Sequence, residues 1–230
     1  MQPPDSADPG EALTVAVDAK IQVSARWLVP TTARACYVLA HGAGAGMLHP
    51  FMQATASALA RHDVGTLRFQ FPYLERGSRR PDPPPLCHAT VRAAVAAAHA
   101  RCPRLALFAG GRSFGGRMSS QAQAHGPLPG VRGLVFLGFP LHPAGTPGTQ
   151  RAQHLQRVEL PMLFVQGTRD ALAERLPLSQ VLGELGTRAS IEWVAEADHS
   201  FHVPARSGRK DPAVREAFLE AAAAWMLARA

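Results

Sequence analysis

The sequence predicts an α/β fold, a mostly parallel twisted sheet with helices on both faces, led in by an antiparallel hairpin. Three observations predict it. After Ala35, short apolar runs of strand length alternate with longer Ala-rich segments of helical length, the order expected of a parallel sheet covered on both sides. Several apolar runs end in Gly-rich or Asp- and His-bearing loops. Before Ala35, the residues alternate between apolar and polar with a period of two, as half-buried strands do.

Taken in order, residues 1–10 read as a flexible tail. Leu13 to Ala19 and Ile21 to Leu28 form the hairpin, turning at Asp18-Ala19-Lys20. Ala35 to Ala40 is a short buried strand. It opens into His41-Gly42-Ala43-Gly44-Ala45-Gly46-Met47, and Pro50 suits the first turn of a helix running to about Arg61. Val64 to Phe71 is the next strand. Pro72 to Pro85 carries too many prolines for a regular element; it is expected to be a loop, either lining a pocket or making a solvated excursion. His88 to Arg101 is a packed helix. Leu105 to Phe108 leads through Ala109-Gly110-Gly111 into Arg112-Ser113-Phe114-Gly115-Gly116, and Phe114 to Ala124 is the following helix. Val131 to Phe139 is a buried strand, Gln150 to Val158 one short helix, and Pro161 to Gln166 another strand with Gly167-Thr168-Arg169-Asp170 as its exit. Ala171 to Leu185 is mostly helical, interrupted near Pro177. Ser190 to Val194 is the last strand, followed by Ala197-Asp198-His199-Ser200-Phe201. Asp211 is expected to cap a final amphipathic helix, with Pro212 at its first position. No internal repeat or dividing linker is visible, so 1–230 reads as a single domain.

Composition narrows the function. No apolar stretch reaches transmembrane length, and the start of the chain lacks a basic region followed by an apolar one, so no membrane or secretory route is expected. Three cysteines, Cys36, Cys87 and Cys102, are scattered, with no C-x-x-C pair. Neither a zinc knuckle nor a disulfide framework is suggested, and reduced thiols in the cytoplasm are the simplest reading. The net charge of +7 would suit an anionic partner. The arginines are spread, however, and no aromatic-basic interleaving accompanies them, so no nucleic-acid partner is expected.

The chemistry gathers at three loops. Gly111-Arg112-Ser113-Phe114-Gly115 matches G-x-S-x-G between a buried strand and a helix, the setting of a nucleophile elbow. A hydroxyl is a poor nucleophile without a base, and the base needs a group that fixes its tautomer. Ser113, Asp170 and His199 occur in that chain order, each just after a predicted strand. In a parallel sheet such loops converge at the carboxyl edge. His202 is the nearest rival base and Glu174 a weaker rival acid; Asp198 is expected to brace its loop, and His41 to brace by hydrogen bonding. A Walker loop is excluded, because Arg117 and Met118 stand where Lys and Ser/Thr are required.

On these residues the sequence resembles the α/β hydrolase superfamily, in its small dienelactone-hydrolase-like branch. More narrowly, it is similar to a hydrolase-like family shared with a nonspecific-lethal chromatin-complex subunit. The matching stretches are HGAGAGM with HPFM, FPYLERG, GGRSFGGRMSS, GFPLHPAG, LFVQGTRD and ADHSF, which run from Cys36 to about Val203. The resemblance implies an α/β-hydrolase fold with Ser113, Asp170 and His199 as the catalytic triad. It implies an oxyanion hole from the amides of Phe114 and Ala43, with Gly44 as the alternative to Ala43, and no metal or organic cofactor. Gly42, Gly44, Met47 and Arg112 are expected to contact substrate. Arg112 and Arg117 would either favour an anionic acyl group or be solvated or paired elsewhere. Only about twenty residues separate Phe139 from Pro161, room for a helical turn or two and not for a large cap. The site should be open and suit a small or protruding ester, as in a carboxylesterase or related acyl hydrolase. The alternative is a catalytically silent hydrolase-like binding or scaffold protein.

Overall fold

The computed structural model describes residues 10–230; the expected flexible tail lies outside them except for Gly10. Eight strands form one sheet in the order β1-β2-β4-β3-β5-β6-β7-β8. The edge hairpin is β1 (Glu11–Ala16) and β2 (Gln22–Leu28), paired antiparallel from Glu11 opposite Trp27 to Ala16 opposite Gln22. Its turn is fixed by the Asp18 carboxylate, which accepts from the amides of Lys20 and Ile21 at 2.7 and 2.9 Å. β2 also runs antiparallel to β4 (Val64–Phe69). All remaining pairings are parallel, through β3 (Ala35–Ala40), β5 (Ala106–Arg112), β6 (Val131–Leu137), β7 (Met162–Gly167) and β8 (Ala189–Val194).

The central strands are apolar because both faces are covered. In β3, Cys36, Val38 and Ala40 enter one core, while Ala35, Tyr37 and Leu39 enter the other; successive side chains of a strand point to opposite faces. The first core is roofed by α3 (Pro84–Arg101), α4 (Phe114–His125) and α5 (Arg175–Leu185). The second is roofed by α1 (Pro50–Arg61) and α6 (Asp211–Leu227). Among the described residues no helix is long and apolar enough to cross a membrane.

Four expectations are corrected. The Pro72–Pro85 stretch is not one irregular loop: α2 (Pro72–Glu75) opens it and α3 begins at Pro84. Proline is tolerated in a first turn, where its missing N–H has no intrahelical partner. The same reason corrects the break near Pro177, which sits in the first turn of an uninterrupted α5. Asp211 is the first residue of α6 and not its cap; Lys210 holds that position. The Asp211 carboxylate instead accepts from the Val203 amide at 3.0 Å and pairs with His202 Nδ1 at 2.8 Å. Pro212 is therefore the second helical residue. Between β6 and β7 lies one 3-10 helix, Gln150–Arg157, and no large cap. This is the α/β-hydrolase fold.

Candidate active site

The parallel core brings three strand ends to one edge. Ser113 follows β5 directly, Asp170 lies three residues beyond β7, and His199 five beyond β8. At the elbow Ser113 has φ 47° and ψ −113°, a left-handed conformation rare for a residue with a side chain. The chains there are too close for larger neighbours. A Cβ on Gly111, itself at φ +147°, would lie 2.1 Å from the Ala40 carbonyl oxygen, and one on Gly115 would lie 2.5 Å from that same atom. The G-x-S-x-G spacing thus reflects β5 and α4 crossing against the end of β3.

His199 Nε2 lies 2.9 Å from Ser113 Oγ, and its Nδ1 lies 2.7 Å from Asp170 Oδ2. The Asp170 side chain is fully buried and the His199 side chain 23% exposed. Asp170 is held by more than the imidazole. Gln166 Nε2 donates to Oδ2 at 2.5 Å and the Leu172 amide to Oδ1 at 2.8 Å. Gln166 Oε1 in turn accepts from the Phe139 amide at 2.9 Å, so a buried amide ties the acid loop to the end of β6. The sequence reading missed Gln166; its one signal was a polar residue directly after the apolar run Met162–Val165, still within the strand.

The acid and histidine loops are stitched to each other. The Arg169 amide donates to Ala197 O at 2.9 Å, and the Glu196 amide to Thr168 Oγ1 at 2.8 Å. Asp198 braces its own turn, accepting from the amides of Ser200 and His202 at 2.7 and 3.0 Å. Phe201 pins the loop to the core by packing on Phe218, with ring centroids 4.5 Å apart. The rivals lie elsewhere: His202 pairs with Asp211, and Glu174 accepts from His142 Nε2 at 2.7 Å.

His41 is buried beneath the Gly-rich loop. Its Nδ1 lies 2.8 Å from Gly42 O, and its Nε2 accepts from the Phe71 amide at 3.1 Å. Those partners assign the proton to Nδ1, and burial pushes the imidazole down to about 4, so it braces the loop as a neutral ring.

Two clefts meet at Ser113 and Ala43. The first, about 380 Å³, is lined by Gly42, Gly44, Arg112, His199 and Ser200 among others. The second, about 390 Å³, runs over Phe114, Met118, Pro140 and Leu172, with Pro81 and Pro84 on its wall. The proline-rich stretch therefore lines the site. Arg112 lies over the Phe51 ring at 4.3 Å; burial lowers its pKa, opposed by the charges of Asp198 and Asp170. Met47, expected to contact substrate, lines neither cleft. Its side chain is buried, because Gln70 Oε1 holds its amide at 2.9 Å and Arg68 Nη1 its carbonyl at 3.1 Å. The amides of Phe114 and Ala43 donate to no protein group among the described residues. Among those residues, too, no three His, Cys, Asp or Glu side chains converge as metal ligands.

A strained serine at a strand-to-helix turn, joined through an imidazole to a buried carboxylate, on this sheet, defines the class. The chain belongs to the alpha/beta hydrolase domain family, whose model matches residues 33–227. Among solved structures, the dienelactone hydrolase of Anabaena variabilis is similar, with a TM-score of 0.75 and 20% identity, over 96% of this chain and 97% of that one. XC6422 of Xanthomonas campestris, an α/β serine hydrolase without a lid, gives 0.71 and 20% over 97% and 98%. Est1E of Butyrivibrio proteoclasticus with ferulic acid bound gives 0.68 and 14% over 91% and 98%. At these identities the likeness establishes the shared fold.

Proposed function

We propose that the protein is a serine hydrolase, of carboxylesterase or related acyl-hydrolase type, with Ser113, His199 and Asp170 as its catalytic residues. The observation that carries this reading is the continuous chain Ser113 Oγ, His199, Asp170, with contacts of 2.9 and 2.7 Å. His199 Nε2 takes the Ser113 proton as Oγ bonds to the ester carbonyl carbon. Asp170 holds the proton on Nδ1 and stabilises the imidazolium. The amides of Phe114 and Ala43 donate to the oxyanion; Phe114 opens α4, where the helix dipole adds favourable partial charge. The carbonyl–alkoxy bond then breaks, and His199 returns the proton to the departing alcohol. Water, deprotonated by His199, cleaves the acyl-enzyme to a carboxylic acid and free Ser113.

The absence of a large cap supports a small or protruding ester as substrate. The mechanism needs no metal or organic cofactor, and a cytoplasmic setting that keeps the thiols reduced completes the proposal. The narrower resemblance to the family shared with a chromatin-complex subunit rests on the quoted stretches alone and adds no substrate. No observation favours the scaffold alternative. The test is hydrolysis of short-chain p-nitrophenyl esters by purified protein. Ser113→Ala is expected to lower kcat by about 10⁴ or more; equal rates in protein and variant would remove Ser113 from the chemistry.

A further inference from the structure

The two clefts at Ser113 are not equivalent. His199 lines the first and not the second. A departing alcohol must receive its proton from His199 Nε2, so the alcohol portion of an ester belongs in the first cleft. The acyl portion is left to the second.

That second cleft has apolar walls and two cations. Arg117 enters from the first turns of α4, and Arg151 from the 3-10 helix between β6 and β7. Neither makes an ion pair among the described residues. Arg117 Nε is buried without a hydrogen-bond partner, and its guanidinium lies 5.7 Å from the Phe114 ring centre. Arg151 donates once, from Nη1 to His142 O at 2.9 Å. Burial, and then the charge of Arg151, push the Arg117 guanidinium down from its ordinary value.

No carboxylate is ion-paired with either arginine among the described residues. Asp82 lines the same cleft, but its Oδ1 is paired with Arg76 and its Oδ2 is buried without a hydrogen-bond partner. The Cys87 thiol is pushed up to about 12 by burial, and so stays uncharged. His154 is pushed down to about 4, by burial first and then by Arg117. Burial likewise lowers His88. Two adjacent, partly desolvated cations without a counter-ion are costly until an anion joins them.

We propose that the second cleft is an acyl pocket for a half-ester of a short dicarboxylic acid, whose distal carboxylate lies between Arg117 and Arg151. The inference rests on the serine-hydrolase reading for the direction of the ester, and on the unpaired arginines for its charge. Guanidinium groups suit a carboxylate because they present paired donors in one plane. Hydrolysis of such a half-ester releases the alcohol and the free dicarboxylate.

The test compares monomethyl glutarate with methyl pentanoate, followed by proton release at constant pH. The wild type is expected to favour monomethyl glutarate by about tenfold or more in kcat/KM. The preference should shrink as salt is raised and vanish in the double variant Arg117→Gln, Arg151→Gln. Each ratio is taken within one variant, so a general loss of activity cancels. A ratio of one or less in the wild type, or a ratio that survives in the double variant, overturns the proposal. Calorimetric titration with glutarate judges the pocket without turnover. Binding that weakens about tenfold in the double variant supports it, and no binding to the wild type overturns it. If glutarate binds while no ester is cleaved, the hydrolase reading fails and the anion pocket stands.

Discussion

Ser113 is held at φ 47°, a conformation that costs on the order of 1–3 kcal/mol and persists only where its surroundings enforce it. Here the enforcement is steric. Gly115→Ala would place a methyl 2.5 Å from Ala40 O, and is expected to destabilise the protein by about 1–3 kcal/mol through forced backbone shifts, read by urea denaturation. Gln166 makes a second prediction. Gln166→Leu removes one donor from Asp170 and leaves the Phe139 amide unpaired. The expected outcome is a kcat lower by about tenfold with little change in KM and a displaced pH profile, since a buried carboxylate loses a charge-assisted hydrogen bond. Gln166→Glu would not restore it, because two carboxylates would then face each other. His41 makes a third. Its folded pKa of about 4 lies below the ordinary value of 6.5. The unfolded chain thus binds its proton first as pH falls. This contribution to stability is complete above pH 6.5 and is lost between 6.5 and about 4, amounting to about 3 kcal/mol. His154, also pushed down to about 4, titrates in the same window. A flat stability between pH 7 and 4 would contradict both assignments.

At the scale of elements, the histidine loop depends on α6. Phe201 at φ 61° packs on Phe218 of that helix. Phe218→Ala is expected to cost about 3–5 kcal/mol and to lower kcat more than an equally destabilising core variant remote from the loop does, measured on protein kept folded below its Tm. Here the reach of sequence reading is visible. Strands β3 to β7 were legible because a strand covered on both faces is a short apolar run, and the loops after β5, β7 and β8 carry Ser113, Asp170 and His199, the residues singled out from the sequence. The helix start at Pro84 and the first turn of α5 around Pro177 were not, because proline reads as a breaker unless the helix boundary is already known. Met47 lines neither cleft, and the sequence could not show this, because the loop around it is held by Gln70 and Arg68, more than twenty residues away. Asp211 looked like a cap from its neighbour Pro212, but its partners, Val203 and His202, come from the preceding loop.

For the whole molecule, the parallel sheet is what makes three distant residues one site. Ser113 and His199 are 86 residues apart in the chain, and His199 and Asp170 are 29 apart. The net charge of +7 has one local consequence at this scale, the cation pair beside the serine. The central claim is that Ser113 is an activated nucleophile. The most direct measurement is labelling of purified, folded protein with a fluorophosphonate probe, with Ser113→Ala alongside. Labelling of the wild type and not of Ser113→Ala is the predicted result; a folded wild type that takes up no probe, or a variant that labels equally, would contradict it.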